Sequence, residues 1–251
     1  MLLGGSILTG EEALALDSHV SYIVPLPYSC NIGIGPGNEL EPRLSVLSRM
    51  SIDGAVKAWE KHPDSKIVIA GETDYDGLPN TTDLMAEHAQ QVSNIAEESI
   101  VKLHTLPDGQ PLNNTYLQVE SLLNYLSGTD GRVLGIPLGF HLPRVIQIAG
   151  AYEFGADFVT AEAVHDASGV SEYEVYLPHI AGLERSERMK MLVGRLDNKG
   201  RLGNLLQRIT GPNLVDVVET EGGYKLEQGF TRYKQKALQR HLDTAKTVTA
   251  H

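Results

Sequence analysis

His141 and Arg144 stand three residues apart in IPLGFHLPRVIQIAG, residues 136–150, where an apolar strand-like run gives way to a helical one. Gly139-Phe140 turns the chain, Pro143 suits the first turn of a helix, and residues three apart fall on one side of that turn. Together with the free N–H groups and the positive dipole end of the helix, the imidazole and guanidinium make a position for an anion such as phosphate or carboxylate. The plain alternative is that Arg144 pairs with a surface carboxylate and His141 only caps the helix.

Three further strand-to-helix joints carry polar residues. CNIGIGPGNELEPR, residues 30–43, places Asn31 and Gly33 where a backbone could come close to a ligand, yet its glycine spacing is not the dinucleotide fingerprint, and the plain reading is a flexible turn before Pro42. In GETDYD, residues 71–76, Glu72 is a candidate acid or base and Gly71 and Thr73 are candidate ligand contacts. Its Asp-x-Asp pair lacks the rest of a calcium loop, so no metal is assigned there. In LNNTY, residues 112–116, Asn114 and Thr115 are good helix caps that could also orient a ligand.

Other chemistry finds little support. Cys30 is the single cysteine, which rules out an intrachain disulfide and a cysteine-rich metal site, and a lone cysteine is ordinarily a small buried apolar residue. His88, His165 and His179 have no partner at metal-ligand spacing. The chain has no Gly-x-Ser-x-Gly elbow, no P-loop and no paired-histidine zinc motif.

The elements that must position these residues alternate. Apolar runs at residues 20–26, 66–70, 100–103, 132–137 and 157–161 read as strands, and helical periodicity appears at 44–59, 82–92, 114–126 and 142–154. Short apolar strands alternating with helices predict an α/β fold: a three-layer, Rossmann-like, mostly parallel sheet over residues 1–181. In such a sheet, ligands bind beyond the carboxyl ends of the strands, where the four joints fall. Residues 182–251 are expected to form a helical C-terminal extension, with helices in ERSERMKMLVGRL and KGRLGNLLQRI and over 230–245. Three roles are open to it: packing on the sheet, covering the site, or joining two copies in a homo-oligomer.

Composition limits the partners. A net charge of -11 with no long basic run argues against nucleic acid and anionic membrane surfaces. The opening MLLGGSILTGEEAL is too short and too broken by glycine for a secretory core or a membrane span, so a cytoplasmic protein without a membrane anchor is expected.

The order of these joints resembles the YdcF/SanA/ElyC-like family, known as domain of unknown function 218. Arg49 falls where that family has an arginine early in its first long helix. Ala70-Gly71-Glu72 falls at its Ser-Gly-Gly-like turn, Asn114-Thr115-Tyr116 at its Asn-Thr helix start, and His141-Leu142-Pro143-Arg144 at its His-x-x-Arg step. The resemblance covers roughly residues 20–160. This chain has Leu117-Gln118 in place of a Glu-Asn pair, Pro137-Leu138 in place of Thr-Ser, and Glu72 in place of the second turn glycine.

What the resemblance implies is a Rossmann-like domain with a ligand crevice, links to envelope and lipid-carrier metabolism, and, for the YdcF branch, S-adenosylmethionine binding. Two functional expectations follow. One is an enzyme that hydrolyses or transfers a phosphoryl or related group of a small anionic or nucleotide-like substrate. In it His141 and Arg144 grip the anion, Asn114 and Thr115 orient it, Arg49 assists, and Glu72 and His141 are the catalytic candidates. The other is a non-catalytic module that senses S-adenosylmethionine or a nucleotide; an S-adenosylmethionine-dependent transferase is a looser fit.

Overall fold

The computed structural model describes residues 5–17, 19–28, 30–34, 40–71, 80–112, 114–196, 213–220, 223–230, 236 and 239–240. Its centre is a five-stranded sheet of β1 (Val20–Pro25), β4 (Lys66–Ala70), β5 (Ile100–Leu103), β6 (Arg132–Ile136) and β7 (Asp157–Phe158). The spatial order is β5-β4-β1-β6-β7, and every pair is parallel. The fold is α/β, three-layered and Rossmann-like.

Side-chain alternation explains why both faces are covered. Ile23, Ile67, Ile69, Leu134 and Ile136 point into one core, whereas Val24, Val68, Ala70 and Val133 point into the other. The first core is closed by α1 (Gly10–Leu14), α2 (Val46–Lys61), α3 (Thr81–Val92) and α6 (Ala161–Ala167). The second is closed by α4 (Thr115–Leu126) and α5 (Leu142–Ala151). Strand order reverses between β1 and β6, because the chain runs outward from β1 through β4 to β5 and then returns past β1 to β6. In open α/β sheets ligands bind at such a reversal, beyond the carboxyl ends of the two central strands. Ser51 of α2, fully buried, ties that end together by donating to the Ile136 carbonyl at 2.8 Å.

Several elements differ from the sequence expectation. The glycine-rich segment after β1 is not a plain turn: β2 (Cys30–Ile34) and β3 (Leu40–Leu44) pair as an antiparallel hairpin. Pro42 is accommodated because a two-stranded ribbon leaves each strand one unpaired edge. The last strand of the sheet stops at Phe158, since Thr160 accepts the Ala163 N–H at 3.2 Å and starts α6.

The C-terminal extension is not helical throughout. After α7 (Leu177–Ile180), which precedes it, it contains α8 (Leu183–Leu196), but also the antiparallel strands β8 (Asn213–Thr220) and β9 (Gly223–Phe230). Thr220 pairs with Gly223, whose φ of 113° suits glycine alone. The helix expected in KGRLGNLLQRI lies outside the described residues, as does most of the one expected over 230–245. Among the described residues no helix is long and apolar enough to cross a membrane.

The extension lies against the sheet domain. The Gln147 amide of α5 donates to the Met191 carbonyl of α8 at 3.4 Å, Tyr176 and Tyr224 stack edge to face at 4.9 Å, and β8 reaches the start of α2.

Candidate functional site

The joint after β6 turns at Gly139, whose N–H donates to both carboxylate oxygens of Glu162 at 3.0 and 2.9 Å. Burial raises the Glu162 pKa above its ordinary value, against the lowering effect of its own backbone and of Gly139. The chain then enters α5 with His141 at the N-cap and Pro143 within the first turn.

His141 makes no capping hydrogen bond. Its Nδ1 instead meets Glu187 Oε2 of α8 at 2.9 Å, and both side chains are 1% exposed. Arg144 Nη1 lies 3.6 Å from the same oxygen. Lys190 Nζ donates to the other oxygen at 2.6 Å, and the Tyr28 hydroxyl donates to it at 3.0 Å. One buried carboxylate is thus ringed by an imidazole, a guanidinium, an ammonium and a phenol. Tyr28 also packs edge-on against His141 and Phe140, with ring centroids 5.2 and 4.9 Å apart.

The charge states follow from these contacts. Burial would raise the Glu187 pKa, but the hydrogen bond from His141 and the charges of Lys190 and Arg144 outweigh it and hold the carboxyl well below its usual range. Burial pushes His141 down, with Arg144 and Lys190 adding to it, against the opposite pull of Glu187. These contacts favour an ionised Glu187 that accepts the Nδ1–H of His141. The remaining ring nitrogen, Nε2, has no hydrogen-bond partner among the described residues.

That atom is one of four of its kind on the same end of the sheet. Arg49 Nε in α2, Thr82 Oγ1 in α3, Gln118 Oε1 in α4 and His141 Nε2 at the start of α5 are all buried without a hydrogen-bond partner among the described residues. Each lies at the N-cap or within the first four residues of a helix that follows a sheet strand. Buried polar atoms are nearly always paired, so such a set marks a place where something polar is to be met. The other three unpartnered atoms, on Trp59, Gln147 and His165, lie farther along their helices.

The other residues singled out from the sequence have diverse placements. Gly71 ends β4, and a Cβ there would fall 1.8 Å from Thr82 Oγ1, so only glycine fits. Asn114 caps α4 by accepting the Leu117 N–H at 3.1 Å, and Thr115 is buried beside it. Arg49 sits in the first turn of α2, with its charge acting on Tyr173. Asn31 and Gly33 pair with Arg43 and Glu41 in the β2–β3 ribbon. Glu72 and Thr73 lie outside the described residues.

Sequence reasoning missed Tyr28, Glu187, Lys190 and Asp216. Glu187 and Lys190 are spaced to share a helix face, but nothing in that spacing says the face meets His141, 46 residues earlier. Asp216 of β8, 6% exposed, accepts the Val46 N–H at the start of α2 at 2.8 Å. Among the described residues no group of three or more histidine, cysteine, aspartate or glutamate side chains is arranged to hold a metal ion. No family model, curated protein or solved structure matches the chain.

Proposed function

We propose that this chain binds a small anionic or nucleotide-like ligand at the β1/β6 reversal, with His141 and Arg144 gripping its anionic group. One observation carries the proposal: a fully buried, ionised carboxylate is already held there by His141, Arg144, Lys190 and Tyr28. A position that stabilises a buried negative charge of the chain itself has the donors that a phosphate or carboxylate needs. The His-x-x-Arg step that does this is also one element of the YdcF-like resemblance. That the group held is a carboxylate favours one second reading, S-adenosylmethionine, whose amino-acid carboxylate has the same charge and shape.

Thermal unfolding with orthophosphate, nucleoside mono-, di- and triphosphates and S-adenosylmethionine tests this, because a ligand that binds only the folded chain raises its unfolding temperature. At least one should raise it, and Arg144→Ala should abolish the rise. If no compound shifts it, or Arg144→Ala responds as the unmodified protein does, the proposal fails. Product analysis of each hit then assigns the class: turnover of a phosphoester makes the protein a phosphoryl-group enzyme, and binding without product makes it a sensing module.

A further inference from the structure

Two carboxylates of the C-terminal segment occupy the two helix starts that follow β1 and β6, on either side of the strand-order reversal. Glu187 of α8 meets His141 and Arg144 at the start of α5, which follows β6. Asp216 of β8 accepts the Val46 N–H at the start of α2, the helix that follows β1 through the β2–β3 ribbon. Both are buried, at 1% and 6% exposure. β1 and β6 are neighbours, and these are the two helices whose N-termini face a ligand at a strand-order reversal.

Burying two carboxylates 29 residues apart in sequence at these two positions is costly unless both meet donors. Tyr28 ties Glu187 to the first turn of α2: its N–H donates to Ser48 Oγ at 3.3 Å, while its hydroxyl donates to Glu187 at 3.0 Å. His141 Nε2, buried and unpartnered among the described residues, sits at the α5 end.

We infer that the β1/β6 reversal takes a ligand with two anionic groups, and that Glu187 and Asp216 hold those two positions until it arrives. The inference rests on the anion-binding function proposed above. Binding requires the two carboxylates to leave, so α8 and β8 loosen when ligand enters, and affinity is lowered by the competition between ligand and segment.

The test uses the unmodified full chain and α,ω-alkanediol bisphosphates of two to six carbons, with butyl phosphate as the one-anion control. The best bisphosphate should bind at least about tenfold tighter than butyl phosphate, a difference of about 1.4 kcal/mol. Amide hydrogen exchange in residues 183–196 and 213–220 should become faster when it is bound, although the rest of the sheet domain is protected. Glu187→Gln, which removes one competing charge and keeps the shape, should bind butyl phosphate at least about tenfold tighter than the unmodified chain.

If bisphosphate and monophosphate bind equally, or if α8 and β8 exchange no faster in the complex, the two-anion inference is overturned while anion binding stands. If neither the unmodified chain nor Glu187→Gln binds any of these phosphates, the underlying function is overturned with it.

Discussion

Two buried histidines make opposite use of the same ring. His141 and His165 are 1% and 3% exposed, both are pushed toward the neutral form chiefly by burial, and each keeps one ring nitrogen without a partner among the described residues. The His165 Nε2 donates to the Met50 carbonyl of the neighbouring α2 at 2.8 Å, a neutral bond that fastens α6 to α2. Beside it Asp53 receives His88 at 2.8 Å and the Tyr173 hydroxyl, so the acid there is answered by its own neighbours on the helix layer. His141 instead receives a carboxylate from a distant helix, in the company of two cations. Burial is alike, although the bonded nitrogen is Nδ1 in His141 and Nε2 in His165; what separates a fastening histidine from a binding one is an ionic group held at the end of the strands.

The contrast can be broken by mutation. Glu187→Ala leaves Arg144 and Lys190 facing a neutral hole, and removing one partner of a buried pair should cost about 3 kcal/mol in urea unfolding, at the low end because Lys190 is one-third exposed. Added phosphate should restore part of that loss. His165→Ala removes one hydrogen bond and leaves a small cavity, so about 2 kcal/mol should be lost, with the phosphate response unchanged. Loss of that response would mean the two histidines belong to one site. Tyr28→Phe deletes only the hydroxyl at Glu187 and should cost about 1 kcal/mol. Lys102→Ala, at an exposed 3.1 Å pair with Asp83, should change stability by less than about 0.5 kcal/mol.

Acid sharpens the same comparison. His141 and His165 are both held below the ordinary histidine value of 6.5, so the unfolded chain takes up protons first and stability begins to fall as the pH drops through 6.5. Glu187 is held below its ordinary 4.5, so its contribution is complete above that pH and is lost as the pH falls further toward the depressed folded value. In Glu187→Gln the second fall should flatten while the part due to His165 persists. An unchanged profile below pH 4.5 would mean that the carboxylate is not ionised in the folded protein.

The sheet was legible because its strands are short, apolar and punctuated by helices with caps, as in KIVIA followed by Asn80 and Thr81. The β8–β9 ribbon was not, since NLVDVVET and GYKLEQGF lie among charged segments of helical spacing and gain their strand character from pairing with each other. The β2–β3 ribbon was hidden for a different reason: five glycines and prolines between residues 33 and 42 read as a turn, although they leave room for ladder pairing at a ribbon edge. His141 and Arg144 could be picked out because local rules of helix entry concern residues close in sequence. Glu187 could not, because its meeting with His141 is decided by how α8 lies along α5, a packing fact with no local signature.

Ring-nitrogen magnetic resonance of the histidines during a titration with butyl phosphate tests the central claim most directly, with His141→Gln and His165→Gln supplying the assignments. The account predicts that the His141 signals move in a saturable way while those of His165 stay in place. Signals of His141 that hold still while ligand binds would contradict it.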